Sequence, residues 1–318
     1  MLKLIQNEWI KIIKRPGTIV MVALIILLVG ATGTFVKYNE NKKEQNIDQN
    51  WKQSLQVETA EYKKELKGLK DKNDIQRPFL ERSIAINEYR IEHNISPNEK
   101  TNVWTFMDVS SSLIILVGLF TIIVSANIVS SEFNWGTIKL LLIRPFSRKK
   151  IIMSKYITSI LFGFALLFTL FVFSNLLGLA LFGTGSGNTS YLAYVDGHVE
   201  EQSRLLYSAK LYVMSFIQTF MLASMAFMVS TVFRNNTIAI GVSILLLTVG
   251  STVTAILANF FDWTKFILFA NTDLMQYVNG TPLVEGMTMT FSIIVLIVYF
   301  VIFLGLSVVV FSKRDVAA

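Results

Sequence analysis

The chain holds two histidines, His93 and His198, and no cysteine. Neither histidine belongs to a recognisable metal-ligand cluster, so a histidine-based metalloprotease is not expected. Without cysteine there are no disulfides, thiol nucleophiles or cysteine-ligated zinc or iron–sulfur centres. The one glycine-rich run, Gly183-Thr184-Gly185-Ser186-Gly187, lacks the lysine with which a phosphate loop reaches its nucleotide. It reads as a flexible loop. The residues thus offer no catalytic, metal or cofactor site, and the chain is expected not to be an enzyme. What remains for chemistry is a set of uncharged polar side chains inside apolar runs, chiefly Ser125, Asn127, Asn175, Gln218, Thr219 and Ser251. Two uses are open to them: hydrogen bonds between helices, or the lining of a substrate path.

The elements that would position these side chains follow from composition. Of the 318 residues 53% are hydrophobic and 16% charged, too apolar for an ordinary soluble domain. A hydrocarbon layer about 30 Å thick needs about 20 apolar helical residues. Six runs without Asp, Glu, Lys or Arg meet that need, approximately Thr18 to Val36, Val109 to Ser130, Ile157 to Phe182, Leu211 to Phe233, Thr237 to Phe261 and Met287 to Phe311. The fold expected is an all-α polytopic membrane protein with six transmembrane helices. Ion-driven transport usually needs an ionisable group at membrane depth, and these runs offer none.

The net charge of +7 does not point to nucleic acid, because the basic residues lie beside the apolar runs. Lys3, Lys11, Lys14, Arg15, Lys139, Arg144, Arg148, Lys149, Lys150, Lys155, Arg234, Lys313 and Arg314 fall on one side. The two short connections on the other side hold Arg204 and Lys265, with Lys210 at a span edge. Lysine and arginine resist translocation, so both termini are expected in the cytoplasm and the site of residence is the cell membrane. Residues 1–15 read as an amphipathic interfacial helix, with Leu2, Ile5, Trp9, Ile12 and Ile13 opposed to Lys3, Glu8, Lys11 and Lys14. Residues 16–36 form the first span and 37–108 an external helical hairpin, in which Trp51, Leu55, Tyr62, Leu66 and Leu69, then Leu80, Ile84 and Ile91, recur at helical spacing. Residues 109–318 carry the remaining five spans.

Between the second and third spans, residues 131–150 have an apolar middle too short to cross a bilayer. A surface helix from Glu132 to Ile143 fits, with Glu132 near its start, Pro145 ending it and Ser147 capping the next helix. Gly136 reads as a place where two backbones approach closely, and Arg148, Lys149 and Lys150 as headgroup contacts. Glu132, Gly136-Thr137, Pro145, Ser147-Arg148 and Lys155 resemble the pattern of the type-2 ABC transporter permease family. In that pattern an acid precedes Gly-Thr, a Leu-rich helix, Pro, Ser-Arg and a Lys opening the third span. Phe311-Ser312-Lys313-Arg314-Asp315 resembles the family's C-terminus, and Trp263 to Gly286 its partly re-entrant external loop.

The resemblance implies that this loop is a coupling helix seated in a separate cytoplasmic ABC ATPase, with Glu132, Trp135, Gly136, Thr137, Arg144, Pro145, Ser147 and Arg148 at the contact. It implies further that ATP and Mg bind the partner subunits, and that a second permease subunit, identical or related, completes the transporter. The expected cargo is amphipathic or hydrophobic, such as an antimicrobial peptide or drug, giving antibiotic resistance. Two other classes stay open: a membrane sensor or immunity protein binding a ligand through the external hairpin, and an ion channel. The topology is open to test in a chain free of native cysteine. A cysteine introduced as Asn73→Cys is expected to react with an impermeant maleimide from outside intact cells, and reaction only from the cytoplasmic side would invert the assignment.

Overall fold

The computed structural model describes residues 1–45, 50–69, 76–97, 101–138, 146–184, 190–195, 197–233 and 235–313. The chain is predominantly helical and has six helices long and apolar enough to cross a membrane: Pro16–Lys42, Val103–Asn134, Arg148–Phe182, Arg204–Val232, Asn236–Ala258 and Met289–Lys313. It is a multi-pass membrane protein. Each crossing coincides with one of the six charge-free runs, and several outrun them. The helices continue until a capping residue ends them, so Asp108, Glu132 and Lys155 come to lie within spans. These three residues lie outside the charge-free runs, in the turns by which the helices extend beyond them.

In chain order the elements are α1 (Leu2–Ile13), α2 (Pro16–Gln45), α3 (Trp51–Gly68), α4 (Gln76–Glu92), α5 (Val103–Ser110) and α6 (Ile114–Asn134), the last two joined by a 3-10 turn over Ser111–Leu113. Then come α7 (Arg148–Phe182), strands β1 (Ser190–Val195) and β2 (His198–Ser203), α8 (Arg204–Val232), α9 (Asn236–Ala258), the short α10 (Leu268–Thr272) and α11 (Met275–Val278), and α12 (Met289–Lys313). Local chemistry sets the starts. The Asn102 side chain accepts from the backbone N–H groups of Trp104 and Thr105, each at 3.0 Å, while Thr105 Oγ1 accepts from the Asn102 N–H at 2.9 Å. Asn235 caps α9 through Thr237 N at 2.9 Å and Ile238 N at 3.2 Å.

The centre of the bundle is the pair α6 and α8, the most deeply buried of the spans, with α7 packed along both. Their contact is polar as well as apolar. Ser230 Oγ accepts from the backbone N–H of Ser130 at 3.0 Å, and Tyr156 and Ser224 share a hydrogen bond of 2.8 Å. At Gly163 on α7 a Cβ would lie 2.8 Å from Thr121 and 3.3 Å from Thr219, so glycine is what lets three helices meet there. Spans α2, α9 and α12 bury far less of themselves and lie at the periphery.

The end of the bundle opposite the termini carries a folded cap. Helices α3 and α4 form the hairpin expected over 37–108, joined by Lys63–Glu88 at 2.6 Å and Asn87–Glu58 at 3.3 Å. Against α4 lies an antiparallel β-hairpin, in register Tyr191 with Gln202 and Val195 with His198. The all-α expectation missed it. Its signal was in the sequence: the aromatic and apolar run Tyr191-Leu192-Ala193-Tyr194-Val195, followed by Asp196-Gly197, a favoured two-residue hairpin connection. Tyr191 joins the parts of the cap: its hydroxyl accepts from Arg82 at 2.8 Å and donates to Asn279 at 3.2 Å, and its ring stacks on Tyr207. The loop from Trp263 to Gly286 is compact, not open. Buried Asn271 accepts from Ser292 at 2.6 Å and donates to Lys265 O and Ile267 O, each at 2.8 Å. Gly250 of α9 lies under the Phe269 ring, where any larger residue would collide.

Candidate functional site: a buried ion cluster at the end of the bundle that bears the termini

Three elements meet where the chain turns between α6 and α7. Helix α1 turns Leu4, Glu8 and Ile12 inward, one residue per turn on the same face. This corrects the placement of Glu8 on the polar face of the amphipathic helix, since Glu8 is 5% exposed. The reason sits opposite: Lys155, in the second turn of α7, is 1% exposed and bonds Glu8 Oε2 and Glu132 Oε1, both at 2.8 Å. Lys11 reaches the same two carboxylates at 3.0 and 3.4 Å. Two acids and two ammonium groups make the cluster neutral. A buried lysine would otherwise lose several kcal/mol of hydration without return. The Lys155 ion pairs hold α1, α6 and α7 together.

Glu132 sits in the last turn of α6, not near the start of a surface helix as expected. Helix α6 ends at Asn134, because Gly136 takes φ +68°, the left-handed conformation that closes a helix. Nothing lies within 4 Å of a Cβ built there. Within the chain, Gly136 is thus a stop of the helix. Thr137 donates its hydroxyl to Glu132 Oε2, which anchors the chain just after the turn. Trp135 is 66% exposed, and Arg15 stacks over its ring at 5.7 Å. Ser147 caps α7 by accepting from Lys150 N at 3.4 Å. Arg148 donates to the Ser312 carbonyl of α12 at 3.2 Å, whereas Lys149 and Lys150 are exposed. Arg144 and Pro145 lie outside the described residues, as do Lys139, Arg234, Arg314, Asp315 and residues 185–189.

Six of the eight motif residues are thereby placed at one end of the bundle. The six uncharged polar residues do not form a second site. Ser125 and Thr219 are buried in the α6–α8 core, Asn127 and Gln218 are half-buried, and Ser251 is exposed on α9 with its hydroxyl bonded to its own helix at 3.2 Å. Asn175 stands apart and donates to Met107 Sδ at 3.5 Å. Glu8 escaped the sequence reading of the site. The signal available was a lone acid four residues from both Leu4 and Ile12, in a segment otherwise charged only by Lys and Arg.

Residues 76–317 match the family described as "Protein of unknown function (DUF2705)". The chain is similar to "Uncharacterized protein YhcI" of Bacillus subtilis (strain 168), 50% identical over the full length of both chains. It is also similar to "Uncharacterized membrane protein YdbK" of the same organism, 35% identical over 70% of this chain and 87% of that one.

The cluster makes a direct stability prediction. Lys155→Met leaves two carboxylates buried without their main partner and is expected to cost about 3 to 5 kcal/mol. Glu8→Gln, Glu132→Gln and Lys155→Met together remove all three buried charges and are expected to recover most of that loss. Thermal unfolding in one detergent measures both, and a Lys155→Met melt equal to the parent would show that the ion pairs hold nothing.

Proposed function

The chain belongs to the DUF2705 family, and we propose that it is the membrane-spanning permease subunit of an ATP-binding cassette exporter of the type-2 class. The observation that carries this reading is the junction itself. Of three residues of the motif on which the resemblance rests, Thr137 and Lys155 both donate to Glu132, although 23 positions separate Glu132 from Lys155. Ser147 and Arg148 of the same motif start α7 and tie it to α12. A force applied to the turn after α6 would pass at once to α1, α6, α7 and α12, four elements that share these bonds. That is the mechanical requirement for a coupling segment.

In this reading the junction faces the cytoplasm, both termini with it, and the cap of α3, α4 and the β-hairpin faces outward. A separate ABC ATPase docks at the turn and supplies ATP and Mg chemistry. A second permease subunit packs against the sparsely buried spans, and the bilayer covers the rest. The cargo is an amphipathic or hydrophobic molecule, of which an antimicrobial peptide or drug is one kind. Exposed Trp135 is the anchor offered to the ATPase, since a large exposed aromatic beside a basic group suits the centre of an interface.

The test is purification of the tagged chain from its native membranes. An ATPase subunit is expected to copurify, and the chain alone is expected not to hydrolyse ATP. Trp135→Ala should weaken retention of the ATPase by about 2 kcal/mol, roughly thirtyfold, with an unchanged melting temperature. Hydrolysis by the isolated chain, or undiminished retention by Trp135→Ala, would contradict the proposal. Trp135 is the better probe because Glu132→Ala would disturb the buried cluster as well.

A further inference from the structure

On the side of the bundle that bears the termini, the sequence sets thirteen lysines and arginines against three acids, Glu8, Glu132 and Asp315. The structure sorts these charges. Glu8 and Glu132 are taken up inside the cluster by Lys11 and Lys155. Arg148 donates to Ser312 O, and Arg15 stacks over Trp135. Lys3, Lys14, Lys149, Lys150 and Lys313 are left. All five are exposed, and among the described residues none of them has an acidic partner.

Bonds between the elements gather the five into one surface. The Lys155–Glu8 pair lays α1, with Lys3 and Lys14, along the start of α7. The Arg148–Ser312 bond sets the first turn of α7, with Lys149 and Lys150, beside the last turn of α12, with Lys313. Both turns are ends of membrane-crossing helices, the level of phospholipid headgroups. Helix α1 is placed at the same level by its own pattern. Leu4, Glu8 and Ile12 face the bundle, Leu2, Trp9 and Ile13 share a second edge that is exposed or half-buried, and Lys3 and Lys14 share a third. Exposed apolar positions resume at once on α2 with Ile19 and Val20. An apolar edge beside a basic one is the pattern of a helix lying in the membrane interface.

A headgroup of zero net charge would solvate these lysines without balancing them, whereas an anionic one does both. We propose that this surface binds phospholipids of net negative headgroup charge in preference to zwitterionic ones, the headgroups lying against Lys3, Lys14, Lys149, Lys150 and Lys313. Such lipids hold α1 by its outer edge, as the ion cluster holds its inner one. The inference follows from the placement of charge and holds whether or not the chain is a permease. The opposite end of the bundle supplies the control: Trp263 is exposed beyond the end of α9, between Asp262 and Lys265 of opposite charge.

The experiment uses the full chain in two forms. One has Trp51, Trp104, Trp135 and Trp263 replaced by Phe and keeps Trp9 of α1, and the other has Trp9, Trp51, Trp104 and Trp135 replaced by Phe and keeps Trp263. Each is reconstituted in equal mixtures of phosphatidylglycerol and phosphatidylcholine, in which one lipid or the other carries bromine on its acyl chains and quenches nearby tryptophan. In about 0.01 M salt, quenching of Trp9 is expected to report a preference of about threefold or more for phosphatidylglycerol, and quenching of Trp263 none. In about 1 M salt, where the screening length falls to about 3 Å, the preference at Trp9 should drop to near one. Lys3→Gln, Lys14→Gln, Lys149→Gln, Lys150→Gln and Lys313→Gln together should do the same in low salt. Circular dichroism melts control for folding. If the quintuple variant does not fold, the salt series and the comparison with Trp263 still decide the matter. Equal quenching of Trp9 by the two lipids, the same preference at Trp9 and Trp263, or a preference that survives high salt or the Lys→Gln changes would overturn the proposal. Equal quenching would assign the five lysines instead to an acidic face of a soluble partner. No ATPase takes part, so failure here leaves the permease reading standing, and failure of that reading leaves this one.

Discussion

An ammonium group buried at the edge of an apolar bundle must bring its counterions with it, and the arrangement of the terminus-bearing end depends on that constraint. Lys155 is almost fully covered and is bonded to carboxylates from α1 and α6. One acid would balance Lys155 alone, but two approach it. Glu8 and Glu132 together exceed one positive charge, and Lys11 from the solvent side restores neutrality. The net value of such a cluster is small when compared with an apolar replacement, but the cost of an incomplete one is large. It acts as a condition on assembly: α1 must dock, α6 must end where it does, and α7 must start in register for any of the three charges to be tolerated.

The architecture was legible in the sequence wherever apolarity alone decided it. Six runs without charge became six spans, and the helical spacing of Trp51, Leu55, Leu80 and Ile84 became a helix pair. The misplacements came where one residue type serves two physical roles. Glu8 on a basic amphipathic helix reads as solvated, because periodicity records polarity and cannot record a partner 147 positions away. Gly136 also has a conformational role that its residue type alone does not announce: positive φ at the end of α6. Arg148 reads as a headgroup contact because a basic run beside a span ordinarily is one, and the position of α12 adds an acceptor, the Ser312 carbonyl, that the sequence does not show. The β-hairpin was within reach through Asp196-Gly197, but a 28-residue connection between two strong spans drew attention to the spans.

The two ends of the bundle are built on different principles. The cap is held by aromatic and amide side chains, with Tyr191 between Arg82, Asn279 and Tyr207 and with Asn271 bonding two carbonyls and Ser292. The end with the termini is held by charge. In the cap the ion pair Lys63–Glu88 is half-exposed, whereas the ion pairs of Lys155 are buried and link helices that come from distant parts of the chain. Between the two ends runs α7, so a tilt of this helix would alter both together. A Cβ at Gly163 would press on Thr121, so α7 lies closest to its neighbours at the three-helix crossing.

The central claim is that charge, and not the membrane surface alone, holds α1 in place. Hydrogen–deuterium exchange of residues 2–13 in lipid nanodiscs measures it most directly. With Glu8→Gln or Lys155→Met, these amides are expected to exchange about tenfold faster or more, because the helix opens once its buried contact is lost, while the core of α6 and α8 stays protected. Unchanged protection of residues 2–13 in both variants would mean that lipid contact suffices to hold α1, and the ion cluster would lose its place as the organising interaction.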